Sequence, residues 1–510
     1  MIQDVENLPD NLEALKAIIG KLKQDHESAI KARDDRIGLL EELLRYANYR
    51  HFAPSSERWE GQRLLFDEAE DQATDKPKAN DKKTITYQRG KPKRKPIPEE
   101  FRRVNLEYDL KDDEKVCGCG SQMKQIGEVV SEQLDIIPAV VQVLRHIRKK
   151  YACSCCKKGV RTAKMPKQMI QGGLPSPNLL AHVAVCKYAD GLPLYRQEGI
   201  LKRAGMDLDR GSMASWMIKL GQSLQPMINL MRDDLLDSRL LHVDETTVQV
   251  LKEKGRKAKD KSYIWVQASG NNDPPIVLFD YDPSGSARVA KNLLADYTGT
   301  LMTDGYQVYD LVANDFRIRH CACWDHARRK FHDVIKGRKP NAAPGLADEA
   351  LWYIGRLYEV DRKQNGATPN RRLHARKLYS KSILDHLYRW LLRVIDTVPP
   401  KSKLGDALHY LYNRWDKLLL IMEDGTIPLS NAKAENAIRP FVIGRKNWLF
   451  SDTPGGAEAS CAIYSIIESA KANGLDPFRY LSYVIAKLPN IEAIEDYEKL
   501  MPHRIQLPTL

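Results

Sequence analysis

The stretch Leu240–Val250 reads LLHVDETTVQV. Aliphatic and β-branched residues crowd it, so it reads as a partly buried strand. Asp244 stands in its middle. An ionised carboxylate among apolar neighbours is costly unless it is paired or bound to a metal. Position alone favours the plainer role, a strand-end Asp that caps a turn or pairs with Lys or Arg. Two more β-rich runs follow, Ser262–Ser269 (SYIWVQAS) and Pro275–Asp282 (PIVLFDYD). Then come a helical stretch, Ser286–Tyr297, a strand, Gly299–Thr303, and a fifth strand around Arg317–Trp324. A basic helix, His326–Lys336, closes the series. Three consecutive strands followed by alternating helix and strand predict a mixed α/β sheet.

Asp304 follows the strand GTLMT and precedes GYQVYD. It therefore sits at the carboxyl end of a strand, where α/β sheets gather their ligands. Two aspartates so placed on adjacent strands bring like charges close, and hard divalent cations take oxygen ligands. Glu435, in NAKAENAIRP, supplies a third carboxylate. Asn431, Glu435 and Arg439 are spaced to share one helical face, which allows a plain Glu435–Arg439 ion pair. Pro440 should stop that helix, leaving an extended piece at Lys446–Phe450 with Arg445 and Lys446 beside it. Together Asp244, Asp304 and Glu435 point to two-metal phosphoryl transfer.

Outward from this centre, 510 residues predict several domains. Lys+Arg is 80 against Asp+Glu 67, an excess of +13 that suits a polyanionic partner. No run approaches the roughly 20 apolar residues that span a bilayer, and the N-terminus carries no secretion pattern. Residues 8–50 read as a helix, with Leu12, Ile19 and Leu40 at heptad position a and Leu15, Leu22 and Leu43 at d. His26, Arg33 and Arg36 break the seam, and a four-residue shift restores it through Ile30, Ile37 and Leu44. A short or interrupted coiled coil for self-association fits. Between Lys76 and Pro96 stand nine basic residues and one acid, including Lys91, Lys93, Arg94 and Lys95. Such a proline-punctuated segment can neutralise phosphates without reading sequence. Five of the nine cysteines fall between 117 and 156 and read as a metal site before they read as disulfides. Val140–Leu144 looks strand-like. Leu194–Ala204 and Gly211–Leu220, with a turn between, resemble helix-turn-helix spacing, although such pairs usually just pack. Residues 345–425 read as helical throughout, and Asp476 with Pro477 signs the start of the last helix.

The motifs HVDET, TDGY, CWDHARRKF and NAKAENAIRPFVIGRKNWLFSDTPGGAEAS strongly resemble the transposases of the insertion-sequence-66 family, which are DDE transposases with an RNase H-like core. The resemblance implies a multidomain α+β protein. Its parts are an N-terminal helical region (1–69), a basic linker (70–103), a Cys-rich zinc module (104–165) and a helical region that is a candidate for DNA binding (166–237). A first part of the core (238–343), a helical insertion (344–428), a second part carrying the Glu (429–453) and a helical C-terminal segment (454–510) complete it. Asp244, Asp304 and Glu435 would be the catalytic triad, holding two Mg²⁺ or Mn²⁺ ions. One structural Zn²⁺ would sit on Cys117, Cys119, Cys153 and Cys156, with the one-residue gap of Cys117-x-Cys119 a departure from the family's usual two. Asn436 is a second departure, standing where relatives carry Arg. The Cys323-x-x-His326 spacing resembles a signature of several transposase groups and fits a strand end and helix start packed in the core. Arg439, Arg445 and Lys446 would join Lys91, Lys93, Arg94 and Lys95 on DNA. The implied activity is cleavage at the element's terminal inverted repeats and joining of 3′-hydroxyls to target DNA, in the bacterial cytoplasm on the nucleoid. A homo-oligomer on DNA and small accessory proteins of the same element are implied partners. The competing readings are an RNase H-like nuclease without strand transfer and a zinc-containing DNA-binding repressor.

Overall fold

Residues 11–52, 141–151, 161–313, 318–336 and 343–508 are described in the computed structural model of the chain. The basic linker and all four expected zinc ligands lie outside them. Helix α1 (Leu12–Phe52) is one unbroken run. Its Leu12, Ile19, Leu22, Ile30, Ile37, Leu40 and Leu44 are exposed, so the described residues of this chain cover neither heptad register. The strand expected at Val140–Leu144 is absent from its described part, Val141–Leu144. Val143 is 90% exposed there, so no apolar face is buried to hold a strand. The ladder forms later, with Lys150 opposite Thr162 and Tyr151 opposite Arg161.

Helices α2 (Pro177–Tyr188), α3 (Leu194–Arg203) and α4 (Arg210–Leu236) come next. Ser176 and Asp209 cap α2 and α4 by accepting the Leu179 and Ser212 amides. The helix-turn-helix spacing is thus two real helices. However, α4 runs on to Leu236 and buries Met213, Trp216, Met217, Leu220 and Leu224, which makes it a core helix.

The sheet has five strands: β1 (Leu240–Gln249), β2 (Lys261–Ser269), β3 (Val277–Asp282), then α5 (Ala287–Leu293), β4 (Thr300–Thr303), α6 (Gln307–Ala313), β5 (Arg319–Ala322) and α7 (Trp324–Lys336). Its order is β3-β2-β1-β4-β5. β2 runs antiparallel to both neighbours, while β4 is parallel to β1 and to β5. Along β1, Leu241 and Val243 enter one core and Leu240 the other. By strand alternation His242 and Asp244 fall on the Leu240 side.

The helical block follows: α8 (Leu346–Arg362), α9 (Pro369–Ala375), α10 (Lys381–Val394), α11 (Lys403–Asn413) and α12 (Trp415–Leu419). A π-turn at Arg376–Ser380 separates α9 from α10. It accommodates the buried Arg376, which clamps Asp361 at 2.7 and 2.8 Å and donates to the carbonyls of Ile421 and Ile427. This block packs Leu387, Trp390, Leu408 and Leu411 against Trp324 and Phe331 of α7, forming the second core.

α13 (Ala432–Trp448), α14 (Pro454–Ala472), α15 (Pro477–Lys487) and α16 (Ile494–Leu500) end the chain. Pro440 does not stop α13, and Lys446–Trp448 is helical where an extended piece was expected. Proline removes one donor, to the carbonyl of Asn436. The burial of Phe441 against Tyr464 and of Gly444 outweighs that loss, and a Cβ at Gly444 would lie 2.8 Å from the Tyr464 hydroxyl. α14 also protects the sheet edge. Its Ser469 and Ser465 hydroxyls accept from the Val277 and Phe279 amides of β3 at 2.9 and 2.8 Å. Asp476 caps α15 with Pro477 at its first position, as the sequence signs. Among the described residues, no helix is long and apolar enough to cross a membrane.

Candidate active site

The parallel register sets the first two carboxylates. Leu240, Leu241 and His242 stand opposite Thr300, Leu301 and Met302. Asp244 lies two residues further along β1 and Asp304 just past the end of β4, close enough that the Asp304 charge acts on the Asp244 carboxyl. Asp244 accepts the Glu245 amide at 2.9 Å, and Asp304 accepts the Tyr306 amide at 2.8 Å in the turn that ends β4.

Two ties fix α13 along β1. At its start, buried Asn431 bonds the His242 ring at 2.9 Å and donates to the Val243 carbonyl at 2.9 Å. Near its end, Arg445 donates to the Thr246 hydroxyl at 3.2 Å. These ties flank Asp244 on the strand, and Glu435 lies between them on the helix. Glu435 is 5% exposed. Its Oε2 accepts from Arg329 at 3.1 Å, while its Oε1 has no hydrogen-bond partner among the described residues and lies 3.6 Å from Nδ1 of His326. The ion pair considered between Glu435 and Arg439 is therefore replaced by Glu435–Arg329. Arg439 keeps buried Nε and Nη2 without an acceptor among the described residues.

Electrostatics binds these groups into one cluster. Burial, and then Glu245, Asp304 and Glu435, push the Asp244 carboxyl well above its ordinary range. Burial raises Asp304 and Glu435 as well, with Arg329 pulling both back. Glu245 is a fourth acid that the reading of HVDET passed over. It accepts the Tyr309 hydroxyl at 2.6 Å, and burial pushes it up to about 7. Four carboxyls with raised pKa and one buried, unpartnered oxygen make a site short of positive charge. That donor set fits hard divalent cations.

The CWDH segment organises the floor of this site. Cys323 ends the strand side, and its sulfur accepts the Asn431 amide at 3.2 Å, joining the start of α7 to the start of α13. Trp324 donates its indole N–H to the Leu418 carbonyl, and Asp325 accepts from Tyr358 and Ser430. Burial pushes His326 down to about 3, so it is neutral at ordinary pH. Arg329 approaches its Nε2 at 3.3 Å, which leaves Nδ1 as the protonated nitrogen facing Glu435. Ligand atoms of Cys323, His326 and Glu435 all lie within 4.8 Å of one another, a spacing compatible with a bound metal. Arg445 is half-buried and Lys446 exposed further along α13.

Comparison with known proteins follows this architecture along the chain. The model described as "Transposase IS66 family" matches residues 172–459, more than half of the protein. "Zinc-finger binding domain of transposase IS66" matches 114–157, "IS66 C-terminal element" 465–503, and "Transposase C of IS166 homeodomain" 39–105. The ordered set defines a multidomain transposase with a zinc-finger region ahead of its core. This chain belongs to the IS66 family of transposases. Among its relatives, uncharacterized protein y4jD of Sinorhizobium fredii (strain NBRC 101917 / NGR234) is 33% identical over 411 residues, 78% of this chain and 79% of its own length. Uncharacterized protein y4qI of the same organism is 30% identical over 541 residues, covering 98% of each chain.

Proposed function

We propose that this protein is a DNA transposase that cuts at the ends of its element and joins the freed 3′-hydroxyls to target DNA. Asp244, Asp304 and Glu435 are the carboxylates that hold two Mg²⁺ or Mn²⁺ ions. The observation that carries this is three carboxyls whose charges act on one another: Asp244 on β1, Asp304 just past the end of the neighbouring strand β4, and Glu435 held between the two ties of α13 to β1. The order β3-β2-β1-β4-β5, with β2 alone antiparallel, supports reading the core as RNase H-like. Bound there, the ions supply Lewis acidity to the attacking and leaving oxygens of an in-line displacement. The chain's own residues prepare that site. Asn431 and His242 fix the helix that carries Glu435, and Arg329 holds one of its carboxylate oxygens. Half-buried Arg439 and exposed Lys446, further along the same helix, are the cations of α13 assigned to phosphates.

Zinc on Cys117, Cys119, Cys153 and Cys156 and phosphate contact by Lys91, Lys93, Arg94 and Lys95 belong to the same reading. So does self-association through the exposed seam of α1, whose apolar residues face water in a single chain. The test uses pre-cleaved element ends with a free 3′-hydroxyl, a target plasmid and Mg²⁺. Covalent joining by the native protein is expected. Asp244→Asn, Asp304→Asn and Glu435→Gln should each reduce it by about 10³-fold or more while DNA binding persists. Cleavage without joining would favour a nuclease. Binding without cleavage would favour a repressor.

A further inference from the structure

The second carboxylate sits on a turn that its own strand does not hold. β4 ends at Thr303, and Asp304 and Gly305 lie beyond the ladder. Their carbonyls are instead taken by the helical block, more than 100 residues later in the chain. The Tyr410 hydroxyl, on α11, donates to the Asp304 carbonyl at 2.7 Å. Arg414, between α11 and α12, donates to the Gly305 carbonyl with one nitrogen and to the Asp310 carboxylate with another. Lys417 of α12 joins it on Asp310. The fit is close: Gly305 has φ +91°, and a Cβ there would lie 3.0 Å from the Tyr410 hydroxyl and 3.2 Å from Arg414 Nε. The Tyr410 ring also receives Lys330, one residue from the Arg329 that pairs with Glu435, at 5.0 Å.

We propose that the helical block is part of the catalytic centre, with Tyr410 and Arg414 as positioning residues that fix the backbone of Asp304 and so aim its carboxylate. The surrounding contacts separate this from plain packing. The block already anchors to the core through its apolar packing on Trp324 and Phe331 and through the Leu418 carbonyl. The Tyr410 ring packs on the second core, but its hydroxyl and the Arg414 guanidinium are spent on polar groups of the turn and of α6. They satisfy the carbonyls of the acidic residue and its neighbour, whose conformation decides where the acid points. The proposal rests on Asp304 being a metal ligand.

The test is Mn²⁺ binding to the full-length protein, read by electron paramagnetic resonance, with Mg²⁺-dependent cleavage measured in parallel. Tyr410→Phe removes one oxygen and leaves the ring in place. It should weaken Mn²⁺ binding by about three- to tenfold, the size of one lost hydrogen bond. Cleavage should return toward the native rate at saturating metal, and DNA affinity without metal should not change. Arg414→Gln should act in the same direction, with Arg414→Lys recovering part of the loss. Asp304→Asn is run beside them. If Asp304→Asn loses metal binding while Tyr410→Phe and Arg414→Gln bind Mn²⁺ as the native protein does, the clamp is refuted and the carboxylate assignment stands. If Asp304→Asn itself binds and cleaves normally, Asp304 leaves the site and the proposal goes with it.

Discussion

Replacing Arg329 with Gln removes the cation that lies 3.1 Å from Glu435 Oε2. The other oxygen already lacks a hydrogen bond, so the carboxylate would stand nearly bare in a buried position. Breaking one side of a buried ion pair costs about 3–5 kcal/mol. Two features pull the figure down. The Arg329 side chain is 28% exposed, so water already screens part of its charge. Burial has also raised the Glu435 carboxyl, which can take up a proton in place of its lost partner. About 2–3 kcal/mol is therefore expected near pH 8 without metal. At about 2–4 °C per kcal/mol, the core transition should melt roughly 4–12 °C lower. The deficit should shrink toward acid, as the raised Glu435 carboxyl takes up a proton. It should also shrink in millimolar Mg²⁺, because a bound ion restores the missing positive charge and stabilises only the folded chain. The assay is calorimetric unfolding of the native protein and Arg329→Gln, with and without Mg²⁺, near pH 8 and near pH 5.5. An equal deficit in all four conditions would refute the reasoning, because Glu435 would then be a structural partner of Arg329 with no metal to receive.

Glu245 gives a pH dependence of defined sign. Its carboxyl is pushed from 4.5 up to about 7 by burial, so the folded chain holds a proton that the unfolded chain releases. Metal-free stability should fall as pH rises from about 4.5 to 7, by at most about 3 kcal/mol and less after screening by water. Glu245→Gln should flatten this slope in thermal melts, and an unchanged slope would count against it. Replacing Lys91, Lys93, Arg94 and Lys95 with Gln should lower the slope of log K against log salt by roughly 3 to 4, at about 0.9 per phosphate contact. The loss should be equal on element ends and random duplex, and a loss confined to element ends would make the segment a sequence reader. Elemental analysis should find about one zinc per chain, and Cys153→Ser should lose it where Cys155→Ser does not.

The sheet was legible because its signals are local. LLHVDETTVQV sends Leu241 and Val243 into one core and Leu240 into the other, and the strands at 240–249, 261–269 and 277–282 fall where β-branched runs put them. Asp304 was readable as a strand-end acid, and Asn431 and Glu435 as one helical face. What the sequence hid is non-local. Arg439 is one turn from Glu435, yet the carboxylate pairs with Arg329, 106 residues earlier, because the Asn431 amide on the Cys323 sulfur ties the start of α13 to the start of α7. Tyr410 and Arg414 carry no mark in sequence that ties them to Asp304. Glu245 was overlooked because its neighbour Asp244 already supplied an acid. Pro440 was read by its local rule, and the burial of Phe441 and Gly444 against α14 overrode that rule.

The central claim is that Asp244, Asp304 and Glu435 serve one metal centre. Iron-directed cleavage tests it most directly. Fe²⁺ replaces Mg²⁺, and ascorbate with peroxide generates radicals that cut the backbone beside the bound ion. The account predicts three sets of cuts, near residues 244, 304 and 435. All three should be suppressed together by excess Mg²⁺ and lost together in Asp304→Asn. Cuts confined to the cysteine module, or cuts near 244 and 304 that leave 435 intact, would contradict it.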